Sequence, residues 1–143
     1  KRLQQGKLDD FVPQAITEAK QRASEAGVTG VSFHTGSVTE LSFLDTPYDF
    51  ALDVGCAHNF PANELRHYHQ ALKRLLKTGA IYLLFAHLGP EDSSPGESRW
   101  LPESVLRQVF SDGFTLDWVE HGQTTVGEDT WASAWFRFVR TID

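Results

Sequence analysis

Apolar residues recur at helical spacing in three stretches of the chain, and residues typical of helix ends border these stretches. Proline in the first turn and glycine just beyond the last turn are typical of helix ends. The predicted starts and stops are Pro13 and Gly27, Ala62 and Gly79, and Pro102 and Gly113. In the second helix, predicted to run to Lys77, the side chains expected to face inward are Leu65, Tyr68, Leu72, Leu75 and Leu76. The pattern therefore predicts three helices, each with an apolar face.

Strands are predicted where apolar residues follow one another without helical spacing. These segments are Val31 to Phe33, Tyr48 to Asp53, Ala80 to Ala86, Phe114 to Glu120 and Trp131 to Arg140. The last two have no helix between them, so they pair most easily as an antiparallel hairpin. Residues 88–98, rich in proline, serine and glycine, are predicted to form a mobile surface loop long enough to act as a lid. The order of elements predicts a single α/β domain over residues 1–143.

One turn concentrates the reactive side chains. The strand that ends at Asp53 is followed by a glycine, a thiol, an imidazole and an amide, in the segment Val54 to Asn59. A helix and another apolar strand come next, so these groups lie at the carboxyl end of the first strand of a β-α-β unit. Ligands of open α/β sheets bind at that edge. The sequence therefore predicts a ligand-binding α/β domain, and an enzyme.

Charge and composition exclude several classes of function. A formal net charge of -6, with no basic run, argues against a nucleic-acid partner. The single cysteine cannot form an internal disulfide, and the sequence has neither an apolar run of ~18 residues nor a secretory leader. We therefore expect a cytoplasmic protein with no membrane partner. The sheet edges that this fold would expose favour a homodimer.

Five segments carry a resemblance to a known family. They are Leu8 to Ile16, Gly36 to Leu41, Tyr48 to Asp53, Leu75 to Ala80 and the terminal hairpin. In this order and spacing they resemble the class I S-adenosylmethionine-dependent methyltransferases, especially the small-molecule branch of thiopurine- and tellurite-type enzymes. The resemblance implies a Rossmann-like three-layer sandwich whose mostly parallel sheet ends in an antiparallel hairpin. It also implies S-adenosylmethionine as cofactor and a small-molecule acceptor that is methylated on sulfur, nitrogen, oxygen, selenium or tellurium.

The sequence departs from the family pattern near its beginning. In the family a first strand and a glycine-rich turn precede the second strand, but residues 1–7 contain only Gly6 and are interpreted as the tail of a helix. The absent strand belongs at the centre of the sheet, and its loss would leave unpaired backbone edges. We therefore expect that Lys7 and Leu8 are not neighbours in the intact protein and that roughly 30–50 residues separate them. A truncated chain or a helical N-terminal arm is the alternative.

The resemblance assigns the adenosine part of the cofactor to two segments. Asp10 would accept hydrogen bonds from both ribose hydroxyls, and a cap for the following helix is its alternative role. Phe11 would pack on the adenine face or belong to the core. Gly36, Ser37 and Val38 would form the turn beside adenine, where Ser37 stands in place of the usual aspartate and makes a weaker contact. An ordinary turn is the alternative there.

The resemblance assigns the methionine part of the cofactor to the turn after the strand from Tyr48 to Asp53. Asp53 would hold the methionine amino group or orient the acceptor, and its alternative is to cap the turn that follows. Val54 and Gly55 complete the set of cofactor contacts, since glycine allows the backbone to come close to a ligand.

The acceptor side is assigned to five residues. His58 is the first candidate for a general base, because imidazole titrates near neutral pH, and His87 at the end of the neighbouring strand is the second. Asn59 would orient the substrate through its amide, and Trp100 would close over it. Cys56 would touch the substrate, although a small buried thiol is the stronger interpretation, because methyl transfer from a sulfonium needs no enzyme nucleophile.

Three other functions are weighed against this one. No metal site is expected, because His67 and His69, which would join Cys56 and His58, point in different directions from their helix. A non-catalytic, methyltransferase-like scaffold domain is favoured by the missing glycine turn and by Ser37. A nicotinamide-dependent oxidoreductase shares the layout, but its sheet would not normally end in an antiparallel hairpin.

Overall fold

The computed structural model describes residues 12–44, 47–93 and 97–142. Its helices are α1 (Val12–Glu25), α2 (Ala62–Leu75) and α3 (Glu103–Phe110), and its strands are β1 (Tyr48–Val54), β2 (Leu76–His87), β3 (Phe114–Val126) and β4 (Asp129–Arg140). Short 3-10 turns at Leu41–Phe43 and Ala57–Asn59 complete the set. The three predicted helices and the predicted C-terminal hairpin are therefore confirmed.

The strands form one mixed sheet in the order β1-β2-β4-β3. β1 and β2 are parallel, whereas β4 is antiparallel to both β2 and β3. Within the part of the chain that the structure describes, the parallel portion is thus a single strand pair joined by α2. That pair sets the carboxyl ends of β1 and β2 side by side, with the Gly55 N–H donating to the Phe85 carbonyl across 3.1 Å.

The predicted strand from Val31 to Phe33 is wrong. These residues have no regular secondary structure, and the Val31 side chain is 41% exposed. β1 is the outermost strand on that side of the described sheet, so no described strand lies beyond it as a partner. A strand without a neighbour has no hydrogen-bond ladder to hold it extended.

The second helix ends two residues earlier than predicted. α2 stops at Leu75, and Leu76 already has an extended ψ of 131° and pairs with Tyr48 at the start of β2. Gly79, expected as the helix stop, instead lies inside β2 with a φ of 82°. The apolar Leu76 is 4% exposed, so pairing at the start of the strand buries it without a further helical turn.

The core lies between the sheet and the pair of helices α2 and α3. Tyr82 of β2 is fully buried and packs against Phe110 of α3, with ring centroids 5.2 Å apart. The inward residues predicted for α2 are buried, and His69 joins them on that face. None of the described helices combines the length and hydropathy required to cross a bilayer.

Candidate active site

The turn after β1 is organised by the carboxylate of Asp53. Oδ1 accepts a hydrogen bond from the Cys56 N–H at 2.7 Å, and Oδ2 accepts from the Ala57 N–H at 3.0 Å and from the Tyr82 hydroxyl at 3.3 Å. The side chain is 0% exposed. These contacts are those of a cap for the turn, which is the alternative interpretation from the sequence. Its contact with the cofactor stays a prediction.

Two buried tyrosines, Tyr68 and Tyr82, place neutral hydroxyl groups near the Asp53 carboxylate. Burial first, and then the negative charge of Asp53, raise the pKa of Tyr68 well above its ordinary value. Burial, followed by Tyr68 and Asp53, does the same to the pKa of Tyr82. Both hydroxyls therefore keep their protons at any physiological pH. The sequence did not predict that these hydroxyls lie near Asp53, because Tyr68 was predicted only as an inward-facing residue of the second helix and Tyr82 only as part of the apolar strand from Ala80 to Ala86.

Gly55 brings bare backbone to the carboxyl edge of the sheet. Its φ of 79° lies in the left-handed region, which side-chain-bearing residues rarely adopt. A Cβ at this position would lie 3.2 Å from His58 Cε1, so the glycine leaves room for the imidazole. The Asn59 side-chain N–H donates to the Gly55 carbonyl at 2.7 Å and fixes the turn. Next to it, Val54 exposes 54% of its surface and offers an apolar contact.

Cys56 is buried, with 3% of its surface exposed. Its backbone N–H is one of the donors to Asp53, so the residue helps to form the turn. Burial of this kind matches the interpretation of Cys56 as a small apolar side chain. Its contact with a substrate stays a prediction.

His58 and His87 are stacked on one another. Their ring centroids are 4.7 Å apart and their planes differ by 15°. The backbone N–H of His87 donates to Nδ1 of His58 at 2.8 Å, so the two residues are joined both face to face and through a hydrogen bond. The structure therefore brings together the two residues that the sequence nominated for proton transfer.

His87 is connected in turn to the hairpin. Its Nδ1 lies 2.9 Å from Ser133 Oγ, and Ser133 Oγ lies 2.8 Å from Thr124 Oγ1. Burial, and then the positive charge of Arg99, lower the pKa of His87. The imidazole is therefore predominantly neutral near pH 7. Ser133 and Thr124 were not found from the sequence, although a serine within the apolar strand from Trp131 to Arg140 is a signal that could have identified Ser133.

Two tryptophans surround the stacked imidazoles. The Trp100 ring lies 4.6 Å from His58 and 4.9 Å from His87, and the Trp131 ring lies 5.5 Å from His87. We call His58, His87, Trp100 and Trp131 the aromatic cluster. Trp100 is 8% exposed, and its Nε1 is a buried donor with no hydrogen-bond partner among the residues that the structure describes. Buried polar groups are normally paired, so this N–H is suited to a ligand atom.

The loop that carries Trp100 folds back on itself. The Gly89 N–H donates to the Leu101 carbonyl at 3.0 Å, and a Cβ on Gly89 would lie 2.1 Å from the Trp100 carbonyl oxygen. Only glycine permits this approach. The described parts of the predicted lid, 88–93 and 97–98, therefore adjoin Trp100, which packs against His58 and His87.

The segment predicted to contact adenine forms a closed turn. Ser37 Oγ lies 2.6 Å from Thr39 Oγ1 and accepts from the Thr39 N–H at 3.1 Å. Val38 is 3% exposed, and Gly36 packs so closely on Phe43 that a Cβ would lie 2.6 Å from the ring. Their contact with adenine stays a prediction. The other two residues assigned to adenosine, Asp10 and Phe11, lie outside the described residues, as do Lys7 and Leu8.

In the described ranges, no group of three or more histidine, cysteine, aspartate or glutamate side chains is arranged to hold a metal ion.

Comparison with known proteins identifies the family. Residues 8–79, half of the chain, match the family model described as a methyltransferase domain. The chain belongs to this family. The methyltransferase match includes β1, the Asp53 to Asn59 turn and α2, so it covers the first half of the site described above. The narrower thiopurine- and tellurite-type branch stays a prediction.

A curated methyltransferase aligns with most of the chain. The 2-heptyl-1-hydroxyquinolin-4(1H)-one methyltransferase of Mycobacteroides abscessus is 28% identical over 112 residues, which make up 76% of this chain and 48% of that protein. The chain thus spans about half the length of the curated relative that it matches.

Solved structures support the fold assignment. An S-adenosylmethionine-dependent methyltransferase of Methanosarcina mazei has a TM-score of 0.73 at 18% identity, over 94% of this chain and 81% of that chain. A protein solved in connection with the conversion of a disulfide bond into a thioacetal group during echinomycin biosynthesis has a TM-score of 0.73 at 24% identity, over 92% of this chain and 64% of that chain. The predicted α/β, Rossmann-like class is confirmed.

Proposed function

We propose that this protein transfers a methyl group from S-adenosylmethionine to a small-molecule acceptor. The observation that carries the proposal is the position of Gly55 next to the His58 ring, at the carboxyl end of β1 in a methyltransferase fold. Gly55 has no side chain, so a cofactor can approach its backbone closely. The stacked imidazoles of His58 and His87, which are suited to proton transfer, lie directly beside it.

The residues at the end of β1 fit a nucleoside-bearing cofactor. Gly55 presents backbone without a side chain and leaves room for the His58 ring, Val54 presents an exposed apolar side chain, and Asp53 holds the backbone of the turn in place. Gly36, Ser37, Val38, Asp10 and Phe11 are proposed to complete the contacts on the adenosine side. When bound, S-adenosylmethionine supplies an activated methyl group, which bonds to the acceptor atom as the carbon–sulfur bond breaks and its electron pair goes to sulfur.

The protein contributes positioning and removal of a proton. The aromatic cluster offers ring faces on which a planar acceptor can stack, and Trp100 Nε1–H can donate to a polar atom of that acceptor. Cys56 and Asn59 would line the same side, and His58 or His87 would take the proton of an attacking hydroxyl, thiol or amine. The curated relative acts on a hydroxyquinolone, so a planar hydroxylated heterocycle is the first acceptor to test.

Calorimetry on the intact protein tests cofactor binding. S-adenosylmethionine should bind with micromolar affinity, and Gly55→Ala should weaken binding by about tenfold or more, equivalent to ~1.4 kcal/mol. Gly79→Ala is the matched control, because that glycine also has a positive φ (82°) but nothing lies within 4 Å of an added Cβ. Its affinity should equal that of the wild type.

The calorimetric result also separates the proposal from its rival. A folded, intact protein that binds no S-adenosylmethionine would contradict the enzyme and would support the non-catalytic scaffold domain instead. Binding without methylation of any acceptor tested would retain the cofactor and remove only the proposed class of acceptor.

The remaining expectations about partners are part of the same proposal. We infer further that the protein is cytoplasmic and homodimeric and binds neither nucleic acid nor membrane. The net charge of -6 argues against nucleic acid, and the edge of β1 that no described strand covers favours the dimer. Fractionation of cells and light scattering on the intact protein test these points separately.

A further inference from the structure

The hydrogen bond between His58 and the backbone fixes the tautomer of this imidazole. A backbone N–H can only donate, and the His87 N–H points at Nδ1 of His58 across 2.8 Å. Nδ1 must therefore present a lone pair, so the proton of the neutral His58 ring is on Nε2. A doubly protonated His58 would oppose two N–H groups and lose this bond.

His87 has partners of a different kind. Ser133 Oγ, 2.9 Å from its Nδ1, and Thr124 Oγ1, 2.8 Å further along, are hydroxyls that can either donate or accept. With Ser133 donating to Thr124, Nδ1–H donates to Ser133 and Nε2 carries the lone pair. The same arrangement also suits the protonated ring, in which both nitrogens are donors.

From this contrast we infer that His87 is the proton acceptor of the site, that Ser133 and Thr124 are its positioning residues, and that His58 acts as a hydrogen-bond donor. The inference rests on the proposed methyl transfer and deepens it. The acceptor's proton moves to Nε2 of His87 as the methyl group is transferred. The imidazolium releases that proton to water after the product leaves.

The surroundings of His87 are consistent with this role. Among the described residues, the titratable and charged groups seen to act on it are His58 from the turn after β1 and Arg99 from the loop before α3, whereas β4 contributes the neutral Ser133 and Trp131. Burial and the Arg99 charge lower the pKa of His87, so the ring is unprotonated and able to accept at neutral pH. Thr124 lies at a partly exposed position, where its hydroxyl can also bond to solvent.

Nitrogen-15 NMR of the histidine rings tests the tautomers without any cofactor or substrate. The signals of the intact protein are assigned with His58→Gln and His87→Gln. Between about pH 5 and 8, His58 should keep an unprotonated Nδ1 and a protonated Nε2, while His87 should titrate. A His58 ring that gains a proton at Nδ1 while His87 stays neutral would overturn the inference.

Two adjacent threonines provide a matched pair for the positioning role. Thr124→Val removes the hydroxyl that receives the Ser133 proton, so Ser133 turns to donate to His87 Nδ1 and the proton of His87 shifts to Nε2. Thr125→Val removes a hydroxyl whose bond, among the described residues, is to Thr130 across the exposed hairpin at 3.0 Å. In Thr124→Val the NMR tautomer signal of His87 should change and kcat should fall about fivefold, the rate equivalent of one hydrogen bond of ~1 kcal/mol. Thr125→Val should match the wild type in both measurements.

The two measurements separate failure of the inference from failure of the proposed function. If the tautomers are as expected but the intact protein neither binds S-adenosylmethionine nor methylates an acceptor, the proposed function is wrong. If the protein is an active methyltransferase and Thr124→Val changes neither the His87 signals nor kcat, the positioning role is wrong. Activity that survives in His87→Gln but not in His58→Gln would reverse the assignment of the proton acceptor.

Discussion

Asp53 shows how one side chain can serve both the fold and the site. Its carboxylate has three donors from the backbone and from Tyr82, and it is fully buried. A buried carboxylate is tolerated only with such partners, since its desolvation is otherwise costly. The residue therefore determines the path of the chain from β1 to His58.

We expect Asp53→Asn to be strongly destabilising. The amide can present an oxygen to one of the backbone N–H groups, but its NH2 group then faces the other donor and cannot accept from it. The free energy of unfolding should fall by ~2–4 kcal/mol, because a bond to a charged group is lost and a buried donor is left unpaired. Chemical denaturation of the intact protein measures this change.

Asp49→Asn, on the same strand, is the control for that variant. Asp49 pairs with Lys77 at 2.8 Å, but its side chain is 83% exposed. An exposed ion pair contributes ~0–1 kcal/mol, so this variant should stay close to the wild type. Equal losses for the two variants would contradict the role assigned to Asp53.

Arg99 provides a second prediction at the scale of the residue. Burial and the Arg99 charge both disfavour the protonated form of His87, and therefore Arg99→Gln should raise the pKa of His87. The acidic limb of the pH–rate profile should move to higher pH, since a more basic imidazole remains protonated further up the scale. NMR titration of His87 gives the same shift without turnover, and a shift to lower pH would refute the electrostatic explanation.

At the scale of the element, the connection between α3 and β3 depends on Gly113. Its φ is 77°, and a Cβ would lie 2.8 Å from Lys73 Cε and 3.1 Å from Arg140 Nη1. The Arg140 guanidinium donates to the Gly113 carbonyl at 3.0 Å and to the Lys73 carbonyl at 3.2 Å. The glycine therefore lets α2, α3 and the end of β4 meet closely.

Gly113→Ala should cost more stability than the same change at the hairpin. Gly127 lies between β3 and β4 with a φ of 63°, and nothing lies within 4 Å of an added Cβ. Gly127→Ala should therefore cost only the left-handed backbone strain, ~1–2 kcal/mol, whereas Gly113→Ala should cost more, because the ends of the Lys73 and Arg140 side chains must also shift from their bonds to Asp112 and to the Gly113 carbonyl. Thermal unfolding compares the pair. Losses of the same size would indicate that Lys73 and Arg140 move aside freely.

Elements determined by local sequence were predictable, and those determined by distant partners were not. The helix beginning near Pro13 and the C-terminal hairpin follow from caps and from strands adjacent in sequence. The failed strand from Val31 to Phe33 needed a neighbour that local pattern cannot supply. The site divides in the same way. The turn after Asp53 was visible in the sequence, whereas the bond from His87 to Ser133 joins residues 46 positions apart and could not be inferred from either segment alone.

At the scale of the whole molecule, His69 joins α2 to α3 and to the turn after α3 through one imidazole. It lies on α2, its Nε2–H donates to the Asp112 carbonyl after α3 at 2.7 Å, and its ring packs edge-on against Phe110 at 5.4 Å. Gln70 donates to Nδ1 at 3.3 Å, so the neutral ring uses both nitrogens. Protonation at Nδ1 would set two donors against each other unless the exposed Gln70 amide turned its oxygen toward the ring.

This arrangement makes global stability depend on pH. Burial lowers the pKa of His69 from its ordinary 6.5 in spite of the Asp112 carbonyl, which acts in the opposite sense. Below about pH 6.5 the unfolded chain therefore binds a proton that the folded protein resists, and the free energy of unfolding falls as the pH falls toward the lowered pKa, by at most ~1.4 kcal/mol per pH unit. Above pH 6.5 the ring is neutral in both states and contributes no slope.

His69→Gln keeps a donor for the Asp112 carbonyl but cannot titrate, so it should be less stable at pH 7.5 and should lose this part of the slope between pH 7 and 5. His67→Gln, exposed on another face of α2, should keep the wild-type slope. Denaturation of the three proteins across this range measures both quantities, and a slope that persists in His69→Gln would assign the pH dependence to another group.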